Sequence, residues 1–226
     1  MNDVAEAQDD RIAAELRGFG PLGIAAIVVI MAANIVTVLP AAALVLAWVW
    51  RSRTPWGEIG YARPRSWIAT VVGGLVLGVA LKLALKAIVM PLLGVDPINH
   101  AYHFLVGNAR ALPGMLAIVI VAGGFGEETV YRGYLFERLG KILGESRPAN
   151  VFTVLLTSAL FASAHYLDQG LAGLEQAMIT GLVFGAVFAI TRRVWLLMVA
   201  HAAYDVAAIA LIYWNVESRV AHLFVG

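Results

Sequence analysis

Glu127, Glu128 and Arg132 stand in a stretch that is otherwise apolar enough to cross a lipid bilayer. A charged side chain at that depth costs roughly 2.5–3.5 kcal/mol on insertion scales, so three together point to chemistry or to pairing. On a helix, residues four apart share a face, while neighbours diverge by about 100°. Glu128 and Arg132 are therefore predicted to pair, acid before base, as a structural contact. Glu127 points elsewhere with no cation near it in the sequence, which suits a general acid or base. Two later apolar stretches carry His165, four residues after Phe161, and His201, four residues before Asp205. Glu127, His165, His201 and Asp205 thus form a constellation that could activate water, either directly or through a metal they hold.

Other chemistries fit less well. The chain has no cysteine, which excludes disulfides, thiolate nucleophiles and Cys-based zinc sites. Ser158 and Ser163 lie near His165, but no Gly-x-Ser-x-Gly turn exposes a nucleophile. The His-Glu-x-x-His zinc pattern is absent as well. Of 226 residues, 61% are hydrophobic and 14% charged, against about 25% charged in soluble domains, so the chain is read as an integral membrane protein. A net charge of +1 argues against nucleic acid as a partner.

The elements that must position these groups are apolar stretches at 22–50, 66–93, 112–136, 149–166, 171–190 and 195–214. They predict an all-α, polytopic bundle of about six membrane helices, or seven or eight, around a polar cavity. Pro40 makes the first stretch either one kinked helix or a helix with a re-entrant piece. Residues 1–20 are polar and lack the pattern of a secretory signal, so they are expected to form a tail. Residues 21–226 then form one transmembrane domain, with its catalytic core at about 112–214. Arg51, Arg53, Arg63, Arg65, Arg138, Lys141, Arg147, Arg192 and Arg193 fall on one side; Arg11, Arg17, Arg110 and Arg219 fall on the other. The richer side is predicted to be cytoplasmic, with both termini outside.

Gly74 with Gly78, and Gly181 with Gly185, have the spacing of close helix packing. Gly123, Gly124 and Gly126 leave room beside the acids for a helix or a substrate backbone. Lys82 and Lys86 are expected to snorkel to headgroups. Trp48, Trp50, Trp67, Trp195 and Trp214 read as interface anchors, and His100, His103 and His222 as interfacial polar residues.

Glu127-Glu128-Thr-Val-Tyr-Arg132, Phe161-Ala-Ser-Ala-His165 and His201-Ala-Ala-Tyr-Asp205 resemble, in order, three motifs of the CPBP intramembrane proteases. This group, also called Abi, is related to the CAAX prenyl endopeptidases. The likeness runs from about Gly123 to Asp205. It implies peptide-bond hydrolysis in which Glu127 and His165 activate water and His201 and Asp205 bind the oxyanion. Glu128, Arg132 and Phe161 take supporting roles. The family pattern allows Asp or Asn at the last position, but an aspartate donates to an oxyanion only when protonated. Asp205 could instead orient His201, or complete a metal site with Glu127, His165 and His201. The cofactor is accordingly a divalent metal such as zinc, or none.

The partners implied are membrane lipid and a membrane-associated peptide or protein. The expected location is a prokaryotic plasma membrane, crossed several times, with the cavity towards the cytoplasm. Two rival readings are a non-catalytic immunity or partner-binding protein on the same scaffold, and a proton-coupled transporter. No inverted repeat of broken helices supports the latter. Counting about 1.5 Å per residue from the arginine-rich ends puts Glu127 roughly 13 Å deep, His201 roughly 9 Å and His165 roughly 24 Å. Partners in water activation must nearly touch. Either part of 139–148 dips into the protein, or the edges of the stretches shift.

Overall fold

Apolar side chains face outward along the longest helices, as they must where hydrocarbon replaces water. Ile68, Val72 and Val76 are exposed while Gly74 and Gly78 turn inward. The computed structural model describes residues 2–224, which form helices and loops with no strand. Four helices among them are long and apolar enough to cross a membrane: α4 (Trp67–Leu92), α5 (Leu112–Leu143), α6 (Arg147–Thr191) and α7 (Val194–Tyr213). Ahead of them come α1 (Asn2–Arg17), α2 (Pro21–Val36) and α3 (Val38–Arg51), and a short α8 (Glu217–Ala221) follows.

α6 is a hairpin. Gly170, at φ 62° and ψ −154°, breaks it, a backbone state that costs glycine little. Beyond the break Gly181 meets Ser158 and Gly185 meets Val154. The two arms therefore run antiparallel, matching the predicted stretches 149–166 and 171–190.

The first apolar stretch also folds back. Its break is the extended residue Thr37 rather than Pro40, because Pro40 lies in the first turn of α3, where the missing N–H is harmless. Trp48 Nε1 donates to Leu16 O at 3.0 Å, and Arg53 pairs with Asp9 at 2.9 Å. The residues expected as a free polar tail thus form a helix docked beside Arg51 and Arg53, and the expectation that the N-terminus lies opposite these arginines is overturned. The tip of the α2–α3 hairpin reaches α5, where Asn34 Nδ2 donates to Tyr131 Oη at 3.0 Å.

α4 lies along α7 at backbone range: a Cβ on Gly78 would stand 2.0 Å from Ala200 O. Small residues permit that approach and the dispersion contacts it brings. The 52–66 loop closes the arginine-rich end, with Ile59 fully buried and Val194 N donating to Gly60 O at 3.0 Å. From that loop Tyr61 reaches Thr129 on α5 at 2.6 Å. Because Thr129 Oγ1 already donates to Phe125 O, the Tyr61 hydroxyl is the donor, and burial holds it protonated by pushing its pKa up to about 12.

Two further expectations change. Trp48 is buried against Tyr134 at 5.0 Å instead of anchoring at the surface, and Arg138 is buried between Trp48 and Phe19 with Glu137 as its counter-ion. Lys82 and Lys86 are likewise buried, since polar partners inside the bundle replace the headgroups.

Candidate active site

Between Val119 and Tyr134, α5 winds as a π-helix, wider than an α-helix. The glycines before the acids let α7 come close, and a Cβ on Gly123 would stand 2.8 Å from Asp205 Oδ2. The wider turn narrows the angle between neighbouring residues, so both glutamates meet one imidazole. Glu128 Oε1 lies 2.7 Å from His201 Nδ1, and Glu127 Oε2 lies 3.5 Å from His201 Nε2. The 100° fan of an ideal α-helix would point Glu127 away from the face that Glu128 and Arg132 share.

Glu128 also pairs with Arg132 at 2.8 Å, both side chains being buried. The guanidinium sits over the rings of Phe161 at 4.7 Å and Phe184 at 5.6 Å, one from each arm of α6. One buried carboxylate therefore joins α5 to α7 directly and to α6 through Arg132. A cation over an aromatic face gains most where water is excluded.

His165 rests on Phe161, with ring centroids 4.6 Å apart, and its Nδ1 lies 2.9 Å from Phe161 O. A carbonyl only accepts, so Nδ1 carries the proton and Nε2 of the neutral ring keeps a lone pair. His201 Nε2 lies 3.6 Å from Asp205 Oδ2. Glu127, His165, His201, Asp205 and Phe161 line one cavity of about 180 Å³.

The depth of His165 follows from the helix ends. α5 runs on to Leu143, sixteen residues past Glu127, and His165 lies eighteen residues past Arg147, where α6 returns. The two helices are antiparallel, so the two side chains reach the same level. Residues 144–148 are exposed, so that turn does not dip into the protein.

The cavity wall also includes Asn99, Tyr102, Met115 and Ile212. It therefore opens towards the 93–111 loop, away from the arginine-rich end. A cytoplasmic arginine-rich side and a cytoplasmic cavity mouth exclude each other in this fold.

Ser158 and Ser163 donate to the helix carbonyls of Val154 and Leu160, at 2.7 and 2.8 Å, and are engaged there. Among the described residues no group of three or more His, Asp or Glu side chains is arranged to hold a metal ion. His201 in particular has Nδ1 committed to Glu128, which leaves one nitrogen for the cavity. Sequence reasoning missed Lys82 and Gln176 on the cavity wall. A lysine four residues from another on an apolar helix was the available signal.

Residues 109–207 match the family model for type II CAAX prenyl endopeptidases, described as Rce1-like. This stretch is similar to the CAAX proteases. It bears out the resemblance carried by the three motifs, and it runs from just before α5 into α7, with Glu127, His165, His201 and Asp205 all inside it. α1 to α4 lie outside the matched range. No curated protein and no solved structure gave a match.

Replacing Glu128 with Ala leaves Arg132 buried without its counter-ion. Removing one partner of a buried pair costs about 3–5 kcal/mol. Glu128→Ala is expected to unfold at lower temperature and denaturant in detergent, whereas Glu127→Gln should stay near the wild type. Equal stability of all three proteins would remove Glu128 from its bridging role.

Proposed function

We propose that this chain hydrolyses a peptide bond of a membrane-associated protein or peptide. The observation that carries the reading is the convergence of Glu127, His165, His201 and Asp205 on one cavity inside a helical membrane domain. A water held between Glu127 and His165 Nε2 gives a proton to Glu127 and attacks the carbonyl carbon. A protonated His201, pinned through Nδ1 to Glu128, donates Nε2–H to the oxyanion that develops. Glu127 then returns the proton to the leaving amine as the C–N bond breaks. Asp205 stands 3.6 Å from His201 Nε2 and orients it there. The substrate must enter unwound, because a helix hides its carbonyls.

The full membrane domain, in this reading, has the α2–α3 hairpin entering from the arginine-rich end, α4, α5 and α7 crossing, and the arms of α6 crossing and returning. With Arg11 and Arg17 moved to the richer side, the charge bias strengthens. We therefore place that end in the cytoplasm and the cavity mouth on the opposite face. The absence of cysteine makes this directly testable with Arg63→Cys and His103→Cys in intact cells. A membrane-impermeant thiol reagent should label the second and spare the first; the reverse pattern would turn the protein over.

The catalytic claim is tested by comparing protein termini in cells carrying wild type or Glu127→Gln at matched expression. General-base catalysis contributes about 10²- to 10⁴-fold, so specific new termini should appear with the wild type and vanish in the variant. Identical termini alongside a phenotype kept by both proteins would favour the partner-binding reading. Purified enzyme should keep its activity after exhaustive chelation. Loss of activity that zinc restores would instead install the metal held by Glu127, His165, His201 and Asp205.

A further inference from the structure

Outside the catalytic cavity lies a larger one of about 400 Å³, walled by the 91–101 loop, the bend of α6 and α8. The two share Lys82, Asn99, Gln169 and Gln176 among their linings, so they adjoin along these residues and together reach from the 91–101 loop to Glu127. Lys82 sits where they join. It is buried at 5% exposure, its Nζ donates to Gln176 Oε1 at 3.1 Å, and it lies 4.9 Å from the centroid of the Tyr204 ring. Among the described residues it has no carboxylate at ion-pair distance. Lys86, one turn further along, is neutralised by Glu217 at 2.8 Å.

A buried ammonium is costly unless an anion meets it, and Lys82 retains donors beyond the one given to Gln176. Two acids of the outer cavity are already engaged, Asp96 by His100 at 2.9 Å and Glu217 by Lys86. Asp168 is the remaining acid on that wall. At the inner end Glu127 and Asp205 repel an entering anion, so it should stop at the junction.

We propose that Lys82 is a specificity-determining residue that binds a carboxylate of the peptide lying in these adjoining cavities, either its terminal α-carboxylate or an acidic side chain. The inference rests on the peptidase reading and sets where the bound peptide halts relative to Glu127. A partner at that point also explains why the lysine turns inward when its stem is long enough to snorkel.

Binding to the Glu127→Gln protein tests this without any hydrolysis. The probes are three N-acetylated tetrapeptides: Leu-Ala-Ala-Leu with a free carboxylate, the same sequence as the amide, and Leu-Ala-Asp-Leu as the amide. Affinity is read from the rise in unfolding temperature in detergent. The free-carboxylate peptide, the aspartate-containing amide, or both should bind about 10- to 100-fold more tightly than the plain amide. Which of the two does so names the source of the carboxylate. Lys82→Arg should keep that preference, and Lys82→Met should lose it while unfolding, without peptide, no lower than its parent.

Equal binding of all three peptides, no binding of any, or a preference that survives in Lys82→Met overturns the proposal. A purely structural lysine would shift stability without discriminating carboxylate from amide. If Lys82 discriminates while wild-type and Glu127→Gln cells show the same termini, the peptidase reading fails and the binding site stands.

Discussion

The fold turns on one buried carboxylate. Glu128 receives Arg132 from its own helix and His201 from α7, while Arg132 spreads its charge over an aromatic ring from each arm of α6. In hydrocarbon neither charge could stay unpaired, so each helix that contributes to the cluster is held to the others by the cost of parting. His201 is fixed by the same contact. Its Nδ1 is committed, and its Nε2 is thereby aimed at Glu127 and Asp205. The two adjacent glutamates differ in setting, with Glu128 fully enclosed among its partners and Glu127 facing the cavity.

Close backbone approach is the second constraint. Apolar side chains gain little by leaving lipid for one another, so packing depends on surfaces that fit at short range. Gly78 against Ala200 brings α4 onto α7, and Gly123 against Asp205 brings α7 onto α5. The wide winding of α5 through that glycine-rich run turns both glutamates towards α7. The 52–66 loop secures the other end through Tyr61 and Gly60. The side chains that line the cavity therefore stand on helices braced from both sides, and the cavity reaches the 93–111 loop.

Much of this was legible in the residues. The Glu128–Arg132 pair follows from helical spacing alone, since i and i+4 must meet on one face whatever the tertiary fold. Membrane insertion follows from composition, and the hairpin break between 166 and 171 from loss of apolar character. Other features differ between sequence and structure for identifiable reasons. Pro40 marks the first stretch for a kink or a re-entrant piece because proline interrupts helix interiors, but a first-turn proline does not. Lys82 and Lys86 read locally as snorkelling residues because their partners Gln176 and Glu217 lie 94 and 131 residues away. Arg138 reads as a loop charge from its place in the chain, although Glu137 and Trp48 enclose it.

The sequence by itself determined the solvent, the family motifs and which residues could do chemistry, because composition and short-range spacing are properties of the chain. Tertiary structure alone decided that Glu127 and Glu128 meet the same imidazole, that the N-terminus returns to the arginine-rich end, and that the cavity opens opposite to it. Each depends on contacts between residues far apart in the chain and on how tightly α5 is wound. A change of a few residues in where a helix ends moves a side chain by several ångströms in depth, and no local pattern records that.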